Sequence, residues 1–211
     1  MPRLRQVARA DAPPEVVEVY RRLFGDRDPV AEPGTATGTP GDWWPVFALV
    51  PDILAHAQAG FGMFNSKRRL LSPYLRELGL TRAGFAAGSQ FVFSQHSKAA
   101  RAAGIPDEKV AAIPAWASSD LFDATDRAVL AYTDEVVLAD GRVQDATFAR
   151  LKEHLSDEQV LELTYAIATY RLHATICRAL QLEYDNVPER IVEIAAPAGE
   201  KSADVMSQIS R

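Results

Sequence analysis

Residues 75–104 read LRELGLTRAGFAAGSQFVFSQHSKAARAAG, and this run decides the fold class. Its apolar residues recur at i, i+3, i+4 and i+7, the spacing of one helix face. Ser72–Pro73 just upstream is a helix start, a capping hydroxyl followed by proline at the first helical position. Gly84 and Gly88 predict a kink or break, because glycine tolerates backbone conformations other residues resist. A second helix is expected from Ser89 to Ala103, with Gly104 as its C′ residue. At about 100° per residue, Ser89, Val92, Phe93 and His96 share roughly a quarter of that helix's circumference. One imidazole and one hydroxyl therefore lie along an otherwise apolar stripe, with Glu77 on the helix before. An imidazole oriented by a carboxylate is suited to proton transfer near neutral pH. The same residues also fit a buried histidine satisfied by Glu77 that ties two helices together, and spacing alone leaves both readings open.

Helical periodicity extends in both directions. Pro13 and Pro14 open a helix through Val16, Val17, Val19, Tyr20 and Leu23, which Gly25 ends. Residues 26–42 (DRDPVAEPGTATGTPGD) have no periodic face and read as a long surface loop. Trp43 and Trp44 lead into a short helix over 45–50, and Pro51 starts another through Ile53, Leu54, Ala57, Phe61 and Phe64. Beyond Gly104 come turns at Pro106 and Pro114, a helix over 124–138 capped by Asp123, and a further helix over 146–154. A capping box, Ser156-Asp157-Glu158-Gln159, opens a last long helix to about Glu183. Past Pro188 one apolar turn (Ile191, Val192, Ile194) precedes an Ala/Pro/Gly/Ser-rich tail, expected to be mobile or draped on a neighbour. Alternating period-2 runs are nearly absent. The expected architecture is all-α: one helical domain over 1–186, two helical halves meeting near residue 118, and a C-terminal extension over 187–211.

Composition narrows the function. The 211 residues carry 23 Lys+Arg against 28 Asp+Glu, a formal charge of −5, and no long basic block. That balance argues against a nucleic-acid partner, whose phosphates require a basic face. No apolar stretch approaches the roughly 20 residues that span a bilayer. The N-terminus lacks an apolar signal core, and the expectation is a soluble, cytoplasmic protein without a membrane partner. A single cysteine, Cys177, excludes an internal disulfide and any CxxC motif. There is no HExxH, no ExxH pair, no P-loop, no complete GxGxxG and no GxSxG. Gly60-Phe61-Gly62 is only a fragment of a glycine fingerprint. His173 and Cys177, four apart on the last helix, could share a metal, but two ligands do not make a site. Core positions are the plainer reading for both, and no metal is expected.

The run over 75–104 resembles the carboxymuconolactone decarboxylase / alkylhydroperoxidase D (AhpD-like) superfamily. Its motif is a Glu, then about a dozen residues to CxxC, with a His four beyond the second Cys. Glu77 falls on the motif glutamate and His96 on the motif histidine, while Ser89 and Val92 stand where the two cysteines belong. Arg76-Glu77-Leu78, Gln95-His96 and the stretch from Ala99 through Ile105-Pro106-Asp107-Glu108 agree with the pattern. So do Trp44-Pro45-Val46-Phe47 with Pro51-Asp52, Phe122-Asp123, Asp126-Arg127-Ala128, Thr133-Asp134, Phe148 with Leu151, Ser156-Asp157-Glu158 and Glu162-Leu163. The resemblance covers roughly residues 44 to 184.

What the resemblance implies is limited by the departures. A peroxidase of the AhpD type cycles through two cysteines, one attacking as thiolate and one resolving. Ser89 and Val92 cannot do this, Cys177 lies too far along the chain to restore a CxxC, and a peroxidase resting on Cys177 alone is the least favoured reading. The chemistry that remains is that of the decarboxylase: loss of CO2 from a lactone acid, then reprotonation of carbon, without metal or organic cofactor. By resemblance His96 handles the proton, Glu77 orients it, and Ser89 hydrogen-bonds the substrate or the imidazole. Arg82 and Arg101 are candidate cations for a small anionic substrate, against the plainer reading of solvated helix arginines. Trp43, Trp44, Phe93 and Tyr170 are candidate walls of an apolar pocket, with the tryptophan pair and the 26–42 loop over its mouth. The rival reading is a non-catalytic or binding member that kept the scaffold and lost the cysteines. The resemblance also implies self-association as dimers, trimers or trimer-based hexamers.

Overall fold

A computed structural model describes residues 1–188 and 191–195 of the chain. These residues are helical, without strands, and divide into two compact units. Of the described residues, one unit comprises 1–67, 176–188 and 194–195; the other comprises 68–175 and 191–193. The division falls at 67/68 and 175/176, not near residue 118, because α4 (Pro73–Ala86) packs against both α5 (Gln90–Ala102) and α7 (Ala124–Leu138).

In the first unit, α1 (Pro14–Phe24) turns Val16, Val19, Tyr20 and Phe24 inward, and Gly25 ends it with φ +63°. The buried Tyr20 hydroxyl donates to the Val7 carbonyl at 2.9 Å. In the 26–42 segment, Asp26 and residues 30–33 are exposed as expected of a surface loop, but Thr35, Thr37 and Thr39 are buried, which corrects that expectation for its second half. Gly34 N–H donates to Pro40 O (2.7 Å) and Thr35 N–H to Thr39 O (2.9 Å), closing the segment on itself. The Thr35 hydroxyl pairs with those of Thr37 and Thr39 at 3.0 and 2.9 Å. Threonines that satisfy one another's hydroxyls can leave water, which a composition-based reading does not see. Gly41, at φ +81°, has no room for a side chain: a Cβ would sit 2.8 Å from the Thr35 methyl. The short helix that follows is α2, Trp43–Phe47, set slightly earlier than periodicity predicts. In α3 (Pro51–Met63), Leu54 and Phe61 are buried but Ile53 is exposed. Gly60 and Gly62 lie inside α3 with open space at their Cβ positions, so the glycine fragment forms no phosphate loop.

The second unit holds α4, α5, α6 (Asp107–Ala112), a 3-10 segment (Ile113–Ser118), α7, α8 (Asp145–Lys152) and most of α9 (Asp157–Leu180). The caps fall where the sequence places them. Ser72, Ser89 and Asp123 each accept the backbone N–H three residues on, from Leu75, Val92 and Asp126. The box opening α9 is reciprocal: Ser156 Oγ accepts from Gln159 N–H, and Gln159 Oε1 accepts from Ser156 N–H at 3.0 Å. Leu78, Ile113, Val129, Leu130, Leu151, Leu163 and Ile167 form the centre of the core.

Gly84 does not kink α4, which runs unbroken to Ala86; the chain turns at Gly88, φ +66°. Gly84 is needed for contact instead, since a Cβ there would lie 2.6 Å from the Phe93 backbone nitrogen. Gly79 likewise admits Leu163, whose Cδ1 would be 2.9 Å from a Cβ. The last helix stops at Leu180, short of Glu183. Gln181 takes the left-handed conformation (φ +55°) and Leu182 N–H donates to Cys177 O at 2.8 Å, a Schellman-type stop made without glycine. Residues 191–195 form no helical turn, and Glu193 Oε1 accepts from Arg101 Nη1 at 2.6 Å. The remaining tail expected to be mobile, 196–211, lies outside the described residues. No helix among the described residues is long and apolar enough to cross a membrane.

Candidate active site

The second unit brings Glu77 of α4 and His96 of α5 together. His96 Nδ1 lies 2.7 Å from Glu77 Oε2, and both side chains are fully buried. The tight α4–α5 approach at Gly84 and the Ser89 cap set the position and rotation of α5 that this bond requires. The other carboxylate oxygen, Oε1, accepts from Arg76 Nε at 2.8 Å. Burial pushes the Glu77 carboxyl up, but the charges and hydrogen bonds of His96 and Arg76 outweigh it and hold it below its ordinary value. Glu77 is thus an anion committed on both oxygens.

With Nδ1 held by Glu77, the reactive atom of the imidazole is Nε2. It is buried and has no hydrogen-bond partner among the described residues. Tyr170 of α9 presents a ring edge-on to the imidazole, centroids 4.1 Å apart at 83°. One turn on, His173 lies 5.8 Å from the Tyr170 ring. Burial, reinforced by the charge of His96, pushes the His173 imidazole down to about 4, so it is neutral at pH 7. A carboxylate, an imidazole with one open nitrogen, a tyrosine edge and a neutral second imidazole make a buried site fit to accept and return a proton.

The other sequence candidates fall elsewhere. Ser89 is buried and its oxygen serves the backbone as the cap of α5. Phe93 is buried, edge-on to Phe85 with centroids 5.9 Å apart. Arg82 is spent on the scaffold: it forks onto Asp134 at 2.5 and 2.9 Å and donates to the Ile113 and Pro114 carbonyls. Arg101 pairs with Asp107 and Glu193, each at 2.6 Å. Trp43 and Trp44 belong to the first unit, where Trp43 stacks on Phe47 at 3.6 Å and meets Trp44 edge-on at 4.8 Å, both rings buried. Cys177, also in that unit, is buried, and burial with the charges of Asp185, Glu183 and Asp42 pushes its thiol well up, away from the reactive thiolate. Among the described residues no three His, Cys, Asp or Glu side chains cluster as metal ligands.

Two members of the site were missed in the sequence. Adjacent helix positions do not face each other, so spacing gives no sign of Arg76, yet its long guanidinium reaches Glu77. The i, i+4 spacing of His173 pairs it with Cys177 as possible metal ligands or core positions, while the spacing that matters is i, i+3 from Tyr170, which puts both on one face of α9.

Residues 54–135 match the model of the Carboxymuconolactone decarboxylase family. The uncharacterized protein YnjA of Escherichia coli (strain K12) is 28% identical over 145 residues, 68% of this chain and 78% of that protein. Among solved structures, the debrominase Bmp8 superposes with a TM-score of 0.66 at 18% identity, over 97% of this chain and 96% of its own. A peroxidase-related AhpD-core protein from Ralstonia eutropha JMP134 gives the same TM-score and identity, over 86% and 90%. Residues 54–135 thus carry the pattern of the carboxymuconolactone decarboxylase family, and the helical fold is shared with an AhpD-core protein.

Proposed function

We propose that this protein is a lyase of the carboxymuconolactone decarboxylase type, acting on a small cyclic carboxylate or lactone with His96 as its acid–base group. The observation that carries this reading is the asymmetry of the imidazole: Nδ1 is anchored on Glu77 and the buried Nε2 is open. A buried polar atom without a partner costs about 1–3 kcal/mol, which a substrate bound at Nε2 would offset, and the carboxylate on Nδ1 is what distinguishes His96 from His154, whose Nδ1 meets only the Thr125 hydroxyl. As the substrate's carbon–carbon bond to the carboxylate breaks, CO2 leaves and the electron pair moves into the conjugated ring. Nε2–H of the imidazolium then delivers its proton to carbon, leaving neutral His96 with its remaining proton on Nδ1 toward Glu77. The Glu77 anion stabilises the imidazolium before transfer and fixes the tautomer after it. Tyr170 packs the imidazole edge-on. With Arg82 and Arg101 engaged by the scaffold, Arg76 is the cation nearest the pair and the candidate to face a substrate carboxylate. A variant of the debrominase Bmp8 has been solved with 2,3,4-tribromopyrrole, and this kinship of fold supports a small planar ring as ligand.

The test is CO2 release from 4-carboxymuconolactone and related lactone acids, with His96→Ala alongside. Release by the wild type and a loss of about 10²-fold or more in a folded His96→Ala variant is the expected result. No release from any substrate, together with a lower melting temperature for the variant, would reduce His96 to a core residue and favour a binding role.

A further inference from the structure

Between α7, α8 and the 3-10 segment lies a hollow of about 440 Å³, within the size range of sites for small molecules. Glu77, His96, Tyr170 and His173 do not line it, so it is separate from the candidate active site. Its floor is set by short side chains. Ala124, Ala128 and Ala131 stand at i, i+4 and i+7 on one face of α7, and Ala146 and Thr147 belong to the first turn of α8. Methyl groups in place of larger side chains leave the space between the two helices unfilled. Trp116 walls one side, and its indole N–H donates to Asp134 at 3.0 Å, which fixes the ring.

The charges at this hollow are of one sign. Arg127, on the same face of α7 as the alanines, and Arg150, one turn beyond Ala146 on α8, line it, and no Asp or Glu does. Arg127 is half-buried, with Nε donating to the Phe122 carbonyl at 3.2 Å and Nη2 donating to the Ser119 carbonyl. Both partners are neutral, so the guanidinium is held in place while its charge stays uncompensated. Arg82 differs, because Asp134 meets its charge. Arg150 reaches only Glu153, at 3.4 Å and in water, where such a pair is weak.

We propose that this hollow binds a small aromatic carboxylate, with its ring on the alanine floor beside Trp116 and its carboxylate on Arg127 and Arg150. A guanidinium already held by backbone carbonyls loses little freedom on meeting a carboxylate, and the charge-assisted bond it forms is the strong kind. The flat ring covers methyl groups and an indole that water otherwise wets. This site does not depend on the lyase reading of His96.

Isothermal titration calorimetry of the full chain with benzoate is expected to give a Kd at or below about 1 mM. Benzamide, which has the same shape without the charge, is expected to bind at least about tenfold more weakly. Ala131→Leu fills the floor and should abolish benzoate binding in a protein that still melts cooperatively. Arg150→Gln, at an exposed position, should weaken it several-fold without a change in melting temperature. His96→Ala should leave benzoate binding as in the wild type, because the imidazole does not line this hollow. The proposal is overturned by no binding of benzoate, by equal binding of benzamide, or by wild-type affinity in folded Ala131→Leu and in Arg150→Gln. Binding lost in His96→Ala and kept in Ala131→Leu would also overturn it, and would place the acid beside His96 instead.

Discussion

The two units each bury a glutamate completely, and the two behave in opposite ways. Glu77 in the second unit faces His96 and Arg76 and is held below its ordinary value. Glu183 in the first accepts from the neutral Gly41 and Trp43 backbone N–H groups, and its backbone N–H donates to Asp42 at 2.7 Å. Burial, with the charge of Asp42 adding to it, pushes the Glu183 carboxyl up to about 8. Burial raises both carboxyls, and the partners decide the outcome: opposite charge overcomes the rise at Glu77, and the like charge of Asp42 adds to it at Glu183. The first glutamate is an anion that can hold a histidine for chemistry, and the second is mostly a neutral acid at pH 7 that pins a loop to the segment following α9.

The comparison breaks most visibly at Glu77. Glu77→Ala leaves His96 Nδ1 and the Arg76 guanidinium without their shared acceptor and is expected to cost about 3–5 kcal/mol in chemical denaturation. A cost under about 1 kcal/mol would mean that the pair is not the electrostatic centre of the second unit. Next in size is the pH dependence of Glu183. Its folded value lies above its unfolded one, so its contribution is complete below about pH 4.5 and is lost as pH rises toward 8. Glu77, whose value is lowered, contributes in the reverse sense, present above its unfolded value and lost as pH falls through its folded one. Glu183→Gln removes the titration at the cost of one accepted N–H bond, so its stability should stay level between about pH 5 and 8 while the wild type loses on the order of 2–4 kcal/mol. Equal slopes in denaturation between pH 5 and 8 would refute the neutral assignment.

Two smaller effects sharpen the helix geometry behind the His96–Glu77 bond. Gly84→Ala forces a methyl onto the Phe93 backbone and is expected to lower stability by about 1–3 kcal/mol. If Glu77 and His96 depend on that close approach, turnover should fall with it. Ser89→Ala removes one cap and should cost about 1 kcal/mol. Activity that survives Ser89→Ala would confine this residue to the cap, whereas loss of activity with stability kept would give its hydroxyl a part at the substrate.

Much of the fold was legible because its signals are local. Capping at Ser72, Ser89, Asp123 and Ser156 depends on three or four adjacent residues, and the structure shows each bond where the sequence places it. Elements fixed by distant partners were not legible. The buried threonine segment, the end of α9 at Gln181 and the reason for Gly84 each depend on atoms many residues away or on a backbone conformation with no glycine to announce it.

By itself the sequence determined an all-α chain, the Glu77 and His96 positions, and the absence of a CxxC pair, because periodicity, caps and motif spacing are properties of neighbouring residues. The tertiary structure alone decided that both oxygens of Glu77 are taken, that His96 keeps Nε2 open, that His173 joins Tyr170 beside it, and that Arg82 and Arg101 are spent on the scaffold. Those outcomes are settled by contacts across helices, where burial and the sign of the nearest charge fix each group's state and spacing along the chain carries no information about either.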